Sequence, residues 1–217
     1  MEHIDEADLL LGDYITEAML DNGNIKLIQV PQVGIENLDT ELLLNYDIPV
    51  CNSHSNALSV AESAVALLLS IAKKIPYHDK LLRNGDWNNI VTEDSKETLS
   101  TYGSYVSNKT VAFIGYGNIG RRIAGLLKGF NCNLMAIVTN KNKEYWELDF
   151  IGDREDLDFV LSYADYLVVA APLTDDTRGM LNKNNLIKMK DTAYIINISR
   201  GRIIDEESLY YMLSENL

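Results

Sequence analysis

Strand-like apolar runs and helix-spaced apolar positions alternate along most of this chain. Residues 25–30, IKLIQV, and 48–51 read as strands, with a short helix over 38–46 between them. Residues 56–74 predict a long helix. Val60, Ala64, Leu67, Leu68 and Ile71 recur at helical spacing, and Val65, Ala66 and Leu69 fill the other side. A helix apolar on most of its circumference is expected to be buried on most of it, between two domains or two subunits. Pro76 is expected to end it. Residues 84–108, rich in Gly, Asn, Ser and Thr and without a clear period, read as an arm between lobes. A strand–helix–strand unit follows at 111–115, 119–130 and 134–138. A further strand over 166–171 comes after a helix near 156–163, and another over 193–198 after a short helix near Leu186. The last helix spans 206–214, with Asp205 as its N-cap. Near-continuous apolar strands alternating with helices predict an α/β fold, a doubly wound parallel sheet covered on both faces.

Composition narrows the class. The 217 residues are 47% hydrophobic and 24% charged, the balance of a globular protein with a real core. A net charge of −13 excludes a nucleic-acid partner, which would need clustered Lys and Arg. No apolar run reaches the roughly eighteen residues of a membrane span. The acidic start, Met1-Glu2-His3-Ile4-Asp5-Glu6, does not resemble a secretory signal. These features point to a cytoplasmic protein, in which Cys51 and Cys132 are expected to be two buried free thiols. No His, Cys, Asp or Glu cluster has metal-ligand spacing.

The strongest chemical signal is Gly115-Tyr116-Gly117-Asn118-Ile119-Gly120. It follows an apolar strand and opens a helix, with a second strand beyond, which is the context of a dinucleotide-binding loop. Gly115 permits the turn, Gly117 lets the backbone approach a pyrophosphate, and Gly120 allows close packing. Asn118 and Ile119 add free N–H groups at the positive end of the helix dipole. NAD sites usually carry an acid about 20 residues on, at the end of the second strand, to bind the adenosine ribose. Here that place reads Val138-Thr139-Asn140-Lys141-Asn142-Lys143. With Thr139 and Asn140 as candidate contacts and two ammonium groups beside them, NAD or NADP is expected, with a slight lean to NADP.

Four stretches go further: Val33-Gly34-Ile35-Glu36-Asn37-Leu38-Asp39, Asn56-Ala57-Leu58-Ser59-Val60-Ala61-Glu62, the glycine loop, and Ile196-Asn197-Ile198-Ser199-Arg200-Gly201-Arg202-Ile203-Ile204-Asp205. Ala171-Pro172-Leu173-Thr174 with Thr177-Arg178-Gly179 adds a fifth. In this order they resemble the D-isomer-specific 2-hydroxyacid dehydrogenases, the family of phosphoglycerate, glycerate and formate dehydrogenases. The resemblance implies a Rossmann-type NAD(P)-binding domain over 58–217, with the linking helix 56–74 and the arm 84–108. It also implies a smaller, partial α/β substrate lobe over 1–57. It assigns Arg200 to the substrate carboxylate and carbonyl, and Val33, Gly34 and Asn56 to the substrate side. Pro172, Thr177, Ile198 and Ser199 join the cofactor contacts. A guanidinium suits that work, because it forks onto a carboxylate and polarises the adjacent C=O. Asn56 reads equally as a helix cap, and Pro31-Gln32 departs from the family pattern before the Val-Gly pair.

The family's acid/base, a histidine assisted by a glutamate, lies downstream of the arginine. No histidine follows Arg200 in these 217 residues, and His3, His54 and His78 stand far upstream. The family's further strands would also follow Arg200, so the strand at 193–198 is expected to present an open apolar edge. The resulting expectation is the cofactor-binding portion of an oxidoreductase for a small 2-keto or 2-hydroxy acid. It would be catalytically incomplete alone, and oligomeric or completed by a second chain. The competing readings are a non-catalytic nucleotide-binding or assembly module and a non-functional product.

Overall fold

The computed structural model describes residues 6–21, 23–86 and 103–215. The acidic start Met1–Asp5 and most of the expected arm, residues 87–102, lie outside the described residues. The chain divides into two compact units, Met1–Asn56 and Ala57–Leu217.

In the first unit β1 (Leu9–Leu11), β2 (Leu27–Gln29) and β3 (Val50–Cys51) form a parallel sheet in that order, with α1 (Glu17–Leu20) and α2 (Thr40–Leu44) in the connections. Asp39 caps α2, its carboxylate accepting the Leu42 N–H at 2.9 Å. Leu20, Ile25 and Ile28 make a small core. Strands β2 and β3 are shorter than the apolar runs that announce them, because only three and two of their residues find ladder partners, and β1 and α1 have no counterpart in the sequence reading. Cys51 is exposed rather than buried, since β3 is an edge strand.

The second unit begins with α3 (Ala57–Ala72). Its buried residues, Ala57, Ala61, Ala64, Leu68 and Ala72, form one narrow stripe, and their small side chains bring the helix close to the glycine-containing α5 (Asn118–Leu127). Along the rest of the helix Leu58 and Leu67 stay half-exposed in the single chain. Pro76 does not end this helix. Lys74 takes a left-handed conformation (φ 52°) and α4 (Ile75–Arg83) starts there, with Pro76 in its first turn, where a missing N–H costs nothing.

Five parallel strands follow: β4 (Thr110–Ile114), β5 (Asn133–Ile137), β6 (Phe150–Gly152), β7 (Tyr166–Val169) and β8 (Tyr194–Asn197). Their order across the sheet is β6-β5-β4-β7-β8, so the chain runs outward from β4 to one edge, then returns to build the other. This is the doubly wound arrangement, and it places a crevice beyond the carboxyl ends of β4 and β7. The pattern along β4 explains its centrality. Val111 and Phe113 enter the core shared with α3 and α5, and Ala112 and Ile114 enter the core shared with α6 (Leu157–Tyr163). All five β4 residues are buried. Strand β6 has no counterpart in the sequence reading, being three residues long with Gly152 at its end. The final helices are α7 (Lys183–Leu186) and α8 (Glu206–Ser214), the latter starting after Asp205. The Asp205 carboxylate accepts the Ser208 hydroxyl at 2.5 Å instead of a backbone N–H. Cys132 is half-buried and free, its thiol pushed up by burial.

Asp165 ties the opposite, amino-terminal ends of three strands together. Its carboxylate accepts the Thr110 N–H at 2.9 Å and the Lys190 ammonium at 3.1 Å, and its carbonyl accepts the Tyr194 N–H. Burial works to raise its carboxyl, but these donors, with Lys109 at 3.6 Å, outweigh it and hold the group below its ordinary 3.8. A depressed folded-state value means the ionised form stabilises the fold above about pH 4, and that contribution fades as pH falls through the folded value. Asp165→Asn is expected to cost about 1–3 kcal/mol at neutral pH, the price of leaving a strand-end N–H and an ammonium poorly partnered. Urea unfolding at pH 7 and pH 3 checks this, and the gap from the parent must narrow at the lower pH.

Candidate functional site

Where the sheet order reverses, a cavity of about 990 Å³ opens over the carboxyl ends of β4, β5 and β7. Gly115, Tyr116 and Gly117 form its floor, and Val138, Thr139 and Asn140 lie along the β5 side. Ala170, Ala171, Pro172, Thr174 and Thr177 close the β7 side. Each wall follows from local chemistry. Gly115 turns the chain with φ +82°, and a Cβ there would stand 2.6 Å from the Ala171 Cα, so only glycine lets the loop cross the end of β7 this closely. Gly117 is the N-cap of α5 and offers no side-chain acceptor, leaving first-turn N–H groups for a ligand. An added Cβ at Gly117 would find nothing within 4 Å. Gly120 makes room for the Tyr116 ring, whose Cδ2 would be 3.0 Å from an added Cβ.

That ring anchors the loop from behind. It meets Phe113 and Tyr145 edge-on at 5.3 and 5.7 Å, with the Arg121 guanidinium 5.7 Å from its centre. The Tyr116 hydroxyl is buried with no partner among the described residues, and burial pushes it up to about 12, the Glu147 carboxylate adding to the rise. Thr174 and Thr177 spend their hydroxyls on the turn itself. Thr177 Oγ1 donates to the Pro172 carbonyl at 2.7 Å and accepts the Thr174 N–H at 2.8 Å.

The turn after β8 carries Arg200. Asn197 organises it, its Oδ1 accepting the Ser199 N–H and its Nδ2 donating to the Arg200 carbonyl, both at 3.0 Å. The Ser199 hydroxyl donates to the carbonyl of Ala171, the residue against which Gly115 packs. The turn is thereby fastened to the wall that shapes the glycine loop. Arg200 itself is exposed, with one Nη donating to the Ser199 carbonyl at 3.2 Å.

Of the residues singled out from sequence, Gly115, Gly117, Thr139, Asn140, Pro172 and Thr177 line the cavity. Asn118, Ile119 and Gly120 form the first turn of α5 beside it, while Ile198, Ser199 and Arg200 belong to the β8 turn. Val33, Gly34 and Asn56 belong to the first unit. There Asn52 Nδ2 donates to the Val33 carbonyl at 2.8 Å, and Asn56 directly precedes α3. Sequence reasoning missed Asp153, Arg154 and Glu155, which line the cavity from the turn after β6. The signal was the spacing Asp153-x-x-Asp156, a capping box ahead of α6. Among the described residues no group of His, Cys, Asp and Glu could hold a metal ion, and no helix is long and apolar enough to cross a membrane.

The model of the D-isomer specific 2-hydroxyacid dehydrogenase NAD-binding domain matches residues 65–217, well over half of the chain. The chain belongs to this family. It is 32% identical to the hydroxypyruvate reductase of Thermotoga maritima, over 97% of this chain and 66% of that one. It is 35% identical to the D-3-phosphoglycerate dehydrogenase of Synechocystis, over 90% of this chain and 34% of that one. Among solved structures, the D-lactate dehydrogenase of Aquifex aeolicus, complexed with NAD and lactic acid, superposes with a TM-score of 0.81 at 25% identity. That match covers 99% of this chain and 63% of the other. The chain thus spans less than two thirds of the length of each of these three relatives. Its second unit is a family NAD-binding domain, on a fold in which parallel strands and helices alternate as the sequence pattern requires.

The residues present fit a dinucleotide. The glycine loop is bare of side chains where a pyrophosphate would lie, with helix N–H groups facing it. The walls formed by Ile114, Ile137, Val138, Ala171 and Met180 are apolar, as flat rings require.

Proposed function

We propose that this chain provides the NAD(P)-binding portion of an oxidoreductase acting on a small 2-keto or 2-hydroxy acid. The observation that carries the reading is the cavity at the sheet's reversal point, floored by Gly115 and Gly117 and walled by the strand ends. Bound nicotinamide would supply or accept the hydride. Gly115, Gly117 and the N–H groups of Asn118, Ile119 and Gly120 hold the pyrophosphate. Thr139 and Asn140 face the adenosine ribose, and Pro172, Thr177, Ile198 and Ser199 flank the nicotinamide half.

Arg200 is the group we assign to substrate. Its planar fork suits a carboxylate and the adjoining carbonyl oxygen, and the Asn197–Ser199 turn limits the space it samples. Val33, Gly34 and Asn56 are assigned to the substrate side by the family pattern. Either NAD or NADP suits the loop. The lean to NADP read from Lys141 and Lys143 loses part of its support, because the Lys141 ammonium is engaged by Asp153 at 2.5 Å. We also place the protein in the cytoplasm as an oligomer or a partner of a second chain. Strand β8, with half-buried Ile195, pairs with β7 among the described residues.

Assayed as these 217 residues, the protein is expected to bind NADH in the micromolar range without turning over glyoxylate or hydroxypyruvate. Reduction of a keto acid needs a proton for the developing alkoxide, and no histidine follows Arg200. A nicotinamide fluorescence titration, with sedimentation on the same sample, checks binding and assembly. Absence of binding to either cofactor overturns the reading, and turnover by this polypeptide overturns its catalytic part.

A further inference from the structure

The adenosine end of the cavity presents a puzzle that the family pattern does not resolve. No acid stands at the end of β5, where a ribose-binding carboxylate is usual. The neighbouring strand supplies one instead. β6 pairs with β5 in parallel register, Ile137 opposite Gly152, so the residue after Gly152 emerges beside Val138 and Thr139. That residue is Asp153, and it lines the cavity together with Thr139 and Asn140.

Building on the NAD(P)-binding reading above, we propose that Asp153 is the acceptor for the adenosine ribose hydroxyls and makes the site prefer NAD over NADP. Three features of its setting support the assignment. First, its backbone and side chain are fixed. Oδ1 accepts the Glu155 N–H at 3.0 Å while the Asp153 N–H donates to Asp156 Oδ2 at 3.0 Å, a closed capping box. Second, Oδ2 is gripped by the Lys141 ammonium at 2.5 Å, which keeps the group an anion and draws Lys141 away from any incoming phosphate. A carboxylate has about four lone-pair sites, so two remain for the two hydroxyls of a ribose. Third, the fixed charges around it disfavour an added phosphate. Asp153 and Glu155 both line this end, and the one arginine between them, Arg154, is engaged by Asp176 at 3.2 Å. A 2′-phosphate would bring nearly two negative charges against these carboxylates, with Lys143 the one lysine in the lining.

Asp153 is therefore a specificity-determining residue, and Lys141 is a positioning residue that acts through it. Hydrogen bonding from Lys141 and from the Glu155 amide holds the Asp153 carboxyl below its ordinary value, so the acceptor is ionised throughout the physiological range. Gly152 completes the device. A Cβ there would stand 2.6 Å from the Asp156 Cβ, so glycine lets the turn close tightly enough to aim Asp153 back at β5.

The test measures dissociation constants for NADH and NADPH with the purified 217-residue chain, by nicotinamide fluorescence and by calorimetry. The parent is expected to bind NADH at least roughly tenfold more tightly than NADPH. Asp153→Ser keeps an N-cap acceptor but removes the charge, and Asp153→Asn keeps the shape. Both are expected to weaken NADH about fivefold or more and to bring the ratio close to one. Lys141→Met is expected to weaken NADH less and to leave NADPH the poorer ligand. Adenosine 5′-monophosphate and adenosine 2′,5′-bisphosphate, used as fragments, read the same end without the nicotinamide. A ratio unchanged in both Asp153 variants, with their melting temperatures intact, overturns the inference while leaving the NAD(P)-binding reading in place. So does a parent that prefers NADPH. A parent that binds neither cofactor overturns both.

Discussion

Gly115→Ala is expected to destabilise the protein by roughly 2–6 kcal/mol, a large part of the 5–15 kcal/mol by which such domains are stable. Two costs combine. The position has φ +82°, which costs a residue with a Cβ about 1–3 kcal/mol. The new methyl would also stand 2.6 Å from the Ala171 Cα and 2.7 Å from its nitrogen. Those are backbone atoms at the end of a central strand, not the tip of a side chain that can swing aside. Either β7 shifts or the loop lifts, and both disturb the buried cores on the two faces of β4, at a further cost of about 1–3 kcal/mol. Urea unfolding followed by circular dichroism reads the loss. A variant within about 0.5 kcal/mol of the parent would show that the loop is far looser than this geometry implies.

The second large effect lies two residues away and is of the opposite kind. Gly117→Ala is expected to leave the unfolding midpoint nearly unchanged and to weaken NADH binding by roughly tenfold to a hundredfold. Its φ is −99°, which alanine accepts, and its Cβ would project into open space. That space is the floor of the cavity, where backbone must come within hydrogen-bonding reach of a pyrophosphate. The methyl therefore costs nothing to the fold and obstructs the ligand. Undiminished NADH affinity in a folded Gly117→Ala protein would remove the pyrophosphate from this loop. The two glycines of one motif thus separate a folding requirement from a binding requirement, and melting and titration tell them apart.

The glycine loop was legible in the sequence because each element of it is local. The strand before it, the three glycines and the helix after it are all set by residues within a few positions of one another. The doubly wound class was legible for a related reason, since strands buried on both faces must be apolar throughout, as in β4. Short or broken elements were not legible. Strand β6 is three residues long and offers no period to detect, and the break at Lys73-Lys74 rests on a left-handed residue, not on Pro76. Cys51 sits in an apolar run, yet it is exposed, because burial depends on which strand lies at the edge.

The adenosine end marks the boundary most clearly. By itself the sequence determined that no acid follows β5, that Lys141 and Lys143 stand there, and that the chain carries the family's Arg200 segment. It could not say what faces those lysines. Tertiary structure decided that by pairing β6 with β5, which sets Asp153 against Lys141 across twelve positions of sequence. The physical reason is the range of the interactions. Turn geometry and helix capping act over three or four residues and are written into the local sequence, whereas strand pairing joins distant residues. The charge a ligand meets at a sheet's end is the sum over neighbouring strands, and their order exists only once the sheet has formed.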